Sequence, residues 1–394
     1  MNNILIRHLT WVSVFAASSA QAANPQFQSF FDQACSNATG SMATRCSGPT
    51  GSNLSGDSES SLTPSQMLSA GDASLLTAES KASDSGELLK IGPLSVAFNI
   101  SAGELDADDR DGSNAERGYT ADTSSFAMTF DYRHSEQLVS GAILSFERSE
   151  LEFDALEPSG SPFTPQPRAG RYETDGIAIT GFAQYTTSTG VFADASIGYT
   201  DLSHDFERNS VYQPSSRVSQ LDVSTEADAD GQRLSLHVRA GKSIQLGAWS
   251  VSPQTSVMHV NTTTDSYREK DTNNSGLAMR YKRYKQDSLL GIVGTSLQRA
   301  FSTDFGVIST QLRADYQREF ERDDEEVDAI FVNDSGGTVF TLAGDDPDKS
   351  YVRAGLSVVA LLAQGWSLYL DYEQLFGNSE YDQYRSTLGF RKEL

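Results

Sequence analysis

A histidine with an acidic neighbour is the first pattern in this chain that could do chemistry. Hydrolases commonly use a histidine that is oriented by a carboxylate and activates a serine. His204 is followed directly by Asp205 at the end of a predicted strand, and it is the histidine whose position suits such a role. An ordinary structural histidine at the rim of the fold is nevertheless the favoured interpretation.

Other catalytic motifs are weaker. Gly56-Asp57-Ser58 resembles the nucleophile block of the GDSL esterases, but Glu59 stands where those enzymes have leucine. The region around it is also too short for the α/β domain that would supply the histidine and aspartate partners. The chain has no glycine-rich phosphate loop, CxxC pair or HExxH motif. We therefore predict a protein that is not an enzyme, with no catalytic residues and no cofactor.

Acidic runs at 102–121 and 319–348 raise the question of a metal site. Residues 106–112, DADDRDG, come near to a calcium-binding loop. If Gly112 took the sixth position of that loop, Ala107 and Gly118 would take the first and twelfth, which need oxygen-bearing side chains. The register fails, so we predict no metal site and interpret both runs as solvated, self-repelling loops.

The N-terminus has the pattern of a secretory signal. Arg7 and His8 precede an apolar centre, and Ala20-Gln21-Ala22 forms a small-residue cleavage site, so the mature chain is predicted to begin at Ala23.

Cys35 and Cys46 are the two cysteines of the chain, and both lie early in the exported part. An oxidising compartment would pair them, so a disulfide is predicted. A metal site built on these two cysteines is the weaker alternative, because the remaining histidines lie far downstream.

The rest of the chain is organised by alternation of apolar and polar side chains. In residues 366–373 the apolar or aromatic side chains Trp366, Leu368, Leu370 and Tyr372 fall on one face, as the two-residue period of a strand requires. Similar segments recur to the end of the chain, and many end in an aromatic residue. The predicted strands are 93–101, 122–133, 138–150, 171–186, 191–204, 230–245, 248–262, 284–300, 306–320, 350–362, 366–375 and 380–391.

About twelve such segments, joined alternately by short turns and long acidic loops, are typical of a transmembrane β-barrel. The predicted fold class is therefore all-β, a closed antiparallel barrel whose first and last strands pair, because unpaired backbone groups are costly in hydrocarbon. Short turns belong on the periplasmic side, which places both barrel termini there. A soluble β-sandwich is the structural rival.

The predicted lumen is lined by charged side chains, for which mutual pairing is favoured: Arg133, Glu147, Asp194, Arg233, Arg239, Arg313, Asp315 and Asp371.

Charge and composition narrow the function further. The net charge of -23 argues against nucleic-acid binding. No stretch of about twenty apolar residues is present, which excludes a helical membrane protein.

The chain is predicted to have three zones: a signal peptide at 1–22, a short Ser/Gly-rich passenger-like or plug segment at 23–90, and a barrel at 91–394. Thr63 and Pro64 could begin one helix in the middle zone, which is otherwise predicted to be mostly irregular.

Three segments of the barrel region, 171–202, 288–321 and 352–378, resemble the autotransporter (type V secretion) translocator barrel. They carry, in the order of that family, a Tyr-x-Thr-Asp-Gly strand opening, a Gly-x-x-Gly-Thr-x-Leu element, and Ala-Gly-Leu-Ser followed by a Leu-Tyr-x-x-Tyr strand. The resemblance implies a barrel of about twelve strands in the outer membrane, with an N-terminal segment that threads or plugs the pore by a helix.

The chain departs from the family in three respects. It ends in Phe390-Arg-Lys-Glu-Leu394 rather than in an aromatic residue, it has no β-helical passenger repeat, and its linker lacks the Asn-Asn of self-cleaving members. We therefore expect a tiny or absent cargo that is not released.

The leading functional prediction is a non-enzymatic outer-membrane protein that anchors or presents its N-terminal segment at the cell surface. The alternatives are a small pore plugged by that segment, or a surface adhesin that acts through its acidic loops. The expected partners are outer-membrane lipid, the barrel-assembly machinery, periplasmic chaperones and an unidentified surface or host ligand.

Overall fold

A computed structural model of the chain describes residues 37–39, 42, 54–55, 93–107, 118–135, 137–154, 170–214, 221–303, 306–323, 327–342, 349–362, 366–378 and 381–393. Within these ranges no helix is long and apolar enough to cross a membrane. The strands are β1 (Leu54–Ser55), β2 (Leu94–Ala107), β3 (Tyr119–Arg133), β4 (Leu138–Phe153), β5 (Gly170–Thr186), β6 (Val191–Pro214), β7 (Leu221–Lys242), β8 (Ile244–Leu246), β9 (Trp249–Thr264), β10 (Tyr267–Arg268), β11 (Lys270–Asp271), β12 (Met279–Tyr281), β13 (Tyr284–Thr303), β14 (Gly306–Asp323), β15 (Val327–Phe331), β16 (Phe340–Leu342), β17 (Ser350–Leu362), β18 (Trp366–Phe376) and β19 (Tyr381–Glu393).

Twelve long antiparallel strands form a closed barrel. Each of them pairs with its sequence neighbours among the long strands, in the order β2-β3-β4-β5-β6-β7-β9-β13-β14-β17-β18-β19. The seam is a continuous ladder between β19 and β2 that runs from Tyr381 opposite Ala107 to Glu393 opposite Ser95. The barrel wall therefore has no free edge, which is the condition for placing strands in hydrocarbon. The predicted all-β fold, its closure and its twelve strands are confirmed.

The two ends of the barrel differ. Five connections of a few residues lie at one end, called here the short-turn end. The longer connections lie at the other, the long-loop end, together with the short connection of residues 377–380 between β18 and β19. Leu94 pairs with Tyr132 beside the first short turn, and Glu393 pairs with Ser95. The barrel thus begins and ends at the short-turn end, as the sequence predicts.

An outward-facing apolar band encircles the barrel. On β6 it includes Ile197, which is 57% exposed, and on β18 Leu370, which is 52% exposed. Exposed aromatic side chains mark both edges of the band, as in the aromatic girdles of outer-membrane barrels. At the short-turn edge they are Tyr132, Tyr185, Trp249, Phe301 and Trp366, and at the opposite edge Phe126, Phe146, Tyr199, Tyr316 and Tyr372.

Several strands continue well beyond this band. β6 has 24 residues and β7 has 22, whereas about 9–11 residues cross a bilayer. On β6 the outward face changes from Tyr199 to the exposed Asp201, and on β7 it changes from Leu234 to the exposed Gln232. Since Asp201 pairs with Gln232, the change occurs at one level on both strands. The predicted strand 191–204 therefore ended ten residues too early.

The inward face changes at a similar level, but from polar to apolar, whereas the outward face changes from apolar to polar. Polar and charged side chains line the lumen inside the band, and above it the same strands turn apolar side chains inward, as with Leu202 and Phe206 on β6. These residues fill the long-loop end, and we call them the mouth core. Its main members are Leu105, Tyr119, Leu151, Phe153, Tyr172, Phe206, Val223, Met258, Val260, Tyr267, Leu277, Met279, Tyr281, Leu290, Val327, Phe331, Phe340 and Leu375.

A small antiparallel sheet covers the mouth core. It consists of β10, β12, β15 and β16, which come from the two connections between β9 and β13 and between β14 and β17. We call the described residues of these connections, 265–283 and 327–342, the cap. Tyr267, Met279 and Phe331 of the cap point into the mouth core, so the cap and the barrel share one apolar interior.

Candidate functional site

The lumen within the apolar band contains ion pairs between side chains of adjacent and nearby strands. Arg233 of β7 contacts Glu147 of β4 across the lumen, and Arg239 of β7 donates to Asp194 of β6 at 2.8 Å. The side chains of both arginines are at most 5% exposed. Burial makes removal of one partner costly, because it leaves an uncompensated charge in the interior.

A larger cluster surrounds Glu373 on β18. Three arginines from different strands reach its carboxylate: Arg313 of β14 at 2.7 Å, Arg353 of β17 at 3.2 Å and Arg385 of β19. Arg313 also lies 3.3 Å from Asp315. All of these side chains are nearly fully buried, so the cluster joins four neighbouring strands on the side of the barrel that contains the seam.

Some buried lumen groups have polar atoms without a partner in the described part of the chain. The Thr129 hydroxyl, both ring nitrogens of His237 and the Gln311 amide nitrogen belong to this group. Thr129 is 0% exposed and His237 is 5% exposed. Buried polar atoms are hydrogen-bonded to protein or to water in most native proteins, so these atoms are available to water or to further polar groups in the lumen.

An aromatic stack connects the barrel to the cap. Tyr172 of β5 stacks on Phe206 at 4.8 Å between ring centroids, Phe206 on Tyr267 at 4.9 Å, and Tyr267 on Tyr281 at 4.6 Å. Two of these rings belong to the barrel and two to the cap. Stacked pairs of this kind each contribute about 0.5–1.5 kcal/mol beyond their burial.

His204 lies against this stack and is completely buried. The hydroxyls of Tyr172 and Thr174 lie 2.7 Å and 3.1 Å from its Nδ1 atom. Its Nε2 atom faces Gly231, where a Cβ atom would come within 2.6 Å. Burial, and then the charge of Arg233, lowers the pKa of His204 from its ordinary value of 6.5 to about 3.

The structure separates His204 from Asp205. Consecutive strand residues point to opposite faces, so His204 points into the mouth core and Asp205 points outward. Burial and the neighbouring Asp228 raise the pKa of Asp205, which pairs with Asp228 across the strands. The two side chains therefore do not form the histidine and acid pair that the sequence suggested as a catalytic candidate.

A buried ion pair ties the cap to β6. Arg208 donates from Nε and Nη2 to the two carboxylate oxygens of Glu269 at 2.8 Å and 2.6 Å, and Nη2 also donates to the Leu277 carbonyl at 3.0 Å. The Met279 amide donates to Glu269 at 2.7 Å. This two-point geometry fixes the orientation of the cap as well as its position.

Residues from the N-terminal zone contact the cap. Ala38 forms an antiparallel bridge with Asp334. The Thr39 amide donates to the Asn333 carbonyl at 2.6 Å, and the Ser335 amide donates to the Asn37 carbonyl at 3.0 Å. A strand-like contact thus joins two parts of the chain that lie almost three hundred residues apart.

Burial and close packing strengthen this contact. Met42 is 0% exposed and belongs to the mouth core. At Gly336 an added Cβ atom would come within 2.4 Å of the Asn37 side chain, so glycine is needed for the close approach. β1 lies further along the N-terminal zone and pairs with Gln213 and Pro214 at the tip of β6.

Most other predicted features of the site can be located. Glu147, Asp194, Arg233, Arg239, Arg313, Asp315 and Asp371 face the lumen and make ion pairs, and Arg133 lies on the same inward face. Cys35, Cys46 and the helix at 63–76 lie outside the described residues, as do 108–117, 324–326 and 343–348 of the acidic runs. The described parts of both runs include strand residues, so the prediction that the runs are entirely loops was wrong there. Within the described ranges, no group of three or more histidine, cysteine, aspartate or glutamate side chains could hold a metal ion. The mouth core, the cap and the N-terminal contact were not predicted.

Comparison with known proteins agrees with this architecture. The family model described as the autotransporter β-domain matches residues 100–373. The fold is similar to the translocator domain of the autotransporter NalP from Neisseria meningitidis, with a TM-score of 0.57 and 15% identity, covering 82% of this chain and 96% of that one. It is also similar to the β-domain of the Bordetella autotransporter BrkA, with a TM-score of 0.52 and 16% identity, covering 77% of this chain and 100% of that one. No curated protein matches the chain in sequence.

Proposed function

We propose that this chain, which belongs to the autotransporter β-domain family, anchors its own short N-terminal segment in the outer membrane and presents it at the cell surface, without enzymatic activity. The family and the barrel fold are established by the sequence match and by the structural neighbours, which also support an outer-membrane location. The proposal adds a role for residues 23–90. It includes a signal peptide at 1–22 and a barrel at 91–394.

One observation carries the proposal. Asn37, Ala38, Thr39 and Met42 contact the cap at the long-loop end, whereas the barrel begins with Leu94 at the short-turn end. Short turns face the periplasm in bacterial barrels, so the long-loop end is the outer one. The N-terminal segment would then be held outside while the barrel that follows it begins inside.

The connection between these two points has to cross the membrane region. Residues 56–93 provide 38 residues, which can span at most roughly 125–135 Å and therefore suffice for the height of a barrel. A route outside the wall would expose backbone polar groups to lipid, at a cost of several kcal/mol each. The lumen is the route that avoids this cost.

The lumen offers polar groups to such a segment. His237 and Thr129 are buried, and their polar atoms without a partner among the described residues can bind groups of a segment that enters the lumen. Residues 56–93 are rich in serine and acidic residues; serine hydroxyls donate and accept hydrogen bonds, and carboxylates accept them. If this segment occupies the lumen beneath the filled mouth, an open pore is not the main activity.

The predicted disulfide would reinforce the contact with the cap. Cys35 and Cys46 bracket the four residues that touch the cap, and a bond between them would close a short loop around those residues. Closing a loop of this size restricts the unfolded segment and would stabilise its docking by about 2–3 kcal/mol. A mobility difference between reduced and non-reduced protein, absent in Cys35→Ser, tests this pairing.

Surface labelling tests the proposed arrangement. A short epitope inserted after Gly51 should bind antibody on intact cells, because this position lies between two segments that contact the long-loop end. The matched control is the same epitope inserted after Gly247 in a short turn, which should bind only after permeabilisation. Labelling of the first epitope only after permeabilisation would refute surface presentation.

A second variant tests the docking contact itself. Gly336→Val places side-chain atoms where Asn37 packs and should make the N-terminal segment sensitive to protease on intact cells. Gly337→Asn is the control, because Gly337 has φ +65, which asparagine tolerates, and open space around it. Conductance in planar bilayers that rises with Gly336→Val, without surface exposure of the segment, would favour the plugged-pore alternative.

Assembly belongs to the same proposal. We expect the barrel-assembly machinery and periplasmic chaperones to insert the barrel, although its last strand ends in charged residues after Phe390. Replacing Lys392 with phenylalanine should leave the fold unchanged and should raise the amount of assembled barrel.

A further inference from the structure

The cap exposes a group of positive side chains. Five of the chain's 30 lysines and arginines lie in residues 268–283 of the cap and a sixth, Lys285, follows on β13, whereas the carboxylates of the cap are buried or partly buried: Asp265, Glu269, Asp271, Asp328 and Asp334. All six are exposed: Arg268, Lys270, Arg280, Lys282, Arg283 and Lys285. Because the chain as a whole is acidic, its overall composition does not account for this group of exposed positive side chains.

Alternation along the cap strands explains how this charge is presented. Tyr267 and Tyr281 are at most 6% exposed and point into the mouth core. Arg268 and Arg280 are their sequence neighbours on β10 and β12, so they point to the opposite, solvent-facing side. The aromatic stack and the Arg208–Glu269 ion pair hold the sheet in place and therefore hold these arginines in a fixed position.

Arg268 and Arg280 stand directly opposite each other. They are cross-strand partners in the antiparallel pair of β10 and β12. Like charges in this position repel and are destabilising. Within the described part of the chain neither guanidinium pairs with a carboxylate, whereas Lys282 contacts Asp328 at 2.7 Å and Arg283 contacts Asp265 at 3.4 Å.

We propose that the solvent-facing side of the cap binds an acidic polysaccharide from outside the cell, with its sulfate or carboxylate groups on Arg268 and Arg280. A guanidinium presents a planar fork that bonds such oxyanions at two points. Two forks on adjacent strands provide neighbouring positions for successive acidic groups of one flexible chain. The bound anions relieve the repulsion between the two arginines.

The surroundings of the patch favour an external glycan over the cell's own anionic lipids. Between the apolar band and the cap, the outward face of β6 and β7 carries Asp201, Asp205, Asp228 and Asp230. These carboxylates repel anionic headgroups from below and leave the upper side of the cap as the accessible positive surface. The same acidic wall disfavours a stiff, highly charged nucleic-acid duplex, which would extend beyond the patch.

Binding of heparin to the purified full-length protein in detergent tests the proposal. We expect salt-dependent binding that remains measurable at about 150 mM salt, where the Debye length is about 8 Å. In R268Q/R280Q the dissociation constant should rise at least about tenfold, since both forks are lost. This variant removes a repulsive pair, so the fold should be retained, and heat-modifiable gel mobility checks that it is.

The matched control removes two positive charges elsewhere. R318Q/K242Q changes one exposed residue on the outer wall and one at the short-turn end, and its affinity should stay within about twofold of the original protein. Equal losses in both variants would mean that only net charge matters and would overturn the assignment, as would unchanged binding in R268Q/R280Q.

Two further outcomes would also overturn it. Equal binding of single-stranded DNA of matched length would show an unselective cation surface rather than a polysaccharide site. Binding that is seen only after Asp345, Asp346 and Asp348 are changed to asparagine would show that an acidic segment of this chain occupies the arginines. A separate measurement tests the choice of a glycan over lipid. Anionic lipid vesicles should bind equally well to the original protein and to R268Q/R280Q, and weaker binding to the variant would assign the arginines to lipid headgroups.

Discussion

The lumen inside the apolar band and the mouth core above it are built by the same strands with opposite chemistry. On β7 the inward residues are Arg239, His237 and Arg233 inside the band, and then Ala229, Ala227 and Val223 above it. The outward residues change from leucine and valine to aspartate and glutamate at a similar level. The environment on each side explains the change. Lipid lies outside the wall in one region, and water lies outside it in the other.

This inversion shows that the barrel contains two different cores. In the lower region hydrophobic side chains face lipid, and the interior is held by buried ion pairs whose net contribution depends on all partners being present. In the upper region the apolar interior resembles that of a soluble protein and is stabilised by the hydrophobic effect. The cap and the N-terminal contact both depend on the upper region.

The largest expected effect lies in the lower region. Glu373→Gln should lower the free energy of unfolding by about 3–5 kcal/mol, because three buried arginines lose the carboxylate that they share. Urea unfolding of the folded barrel in detergent micelles, followed by tryptophan fluorescence, measures the loss. Glu150→Gln is the control, since its pair with Arg171 is partly exposed and should contribute less than about 1 kcal/mol. Equal effects would mean that water screens the lumen cluster.

A loss of stability of intermediate size is expected when a positive charge is placed on the outer face of the lower region but not on that of the upper region. Leu236→Arg places a charge in the centre of the apolar band of β7 and should cost about 2–4 kcal/mol. Asp228→Arg lies on the same face of the same strand above the band, and it should change stability by less than about 0.5 kcal/mol. The comparison uses the same unfolding measurement in lipid vesicles. A similar cost at both positions would place the lipid boundary higher than the structure indicates.

The third effect is the change in stability of the upper region with pH, and for a change of one pH unit it is the smallest of the three. Because the pKa of His204 is about 3 in the folded state and 6.5 ordinarily, the unfolded state binds more protons between these values. Stability of the mouth core should therefore fall as the pH drops from about 6.5 towards 3, by up to about 1.4 kcal/mol per pH unit. Amide hydrogen exchange across β6 and the cap measures the slope.

A variant isolates the histidine. His204→Gln should flatten this slope, whereas His134→Gln, at an exposed position beside a short turn, should leave it unchanged. A slope that persists in His204→Gln would assign the acid sensitivity to other titratable groups instead.

The sequence predicted the lower region well and the upper region poorly, for one physical reason. Strands were recognised by apolar residues that recur at every second position, as at Ile197 and Tyr199. Above the band the apolar set moves to the other parity, at Leu202 and Phe206. The outward apolar alternation therefore stops where the strand continues. Strand ends were predicted too early on β2, β4 and β6, and the start of β7 was predicted nine residues too late. An apolar set that changes parity within one strand is the signal that would have predicted the mouth core.

The cap was missed for a different reason. Its strands have only two to five residues, too few for a periodic pattern to be recognised. The ion pairs of the lumen were predicted as a group, because alternation fixes which side chains point inward. Their partners depend on the register between strands such as β4 and β7, which alternation alone does not determine.

The seam between β2 and β19 determines the order in which this protein can fold. Its two strands come from opposite ends of the barrel sequence, so neighbouring hairpins can form early while the cylinder stays an open sheet. Until residues 381–393 arrive, both terminal strands expose unpaired edges that could bind another chain. A protein that shields either edge during export would therefore speed productive folding and suppress aggregation, and the need for it would end when the last ladder forms.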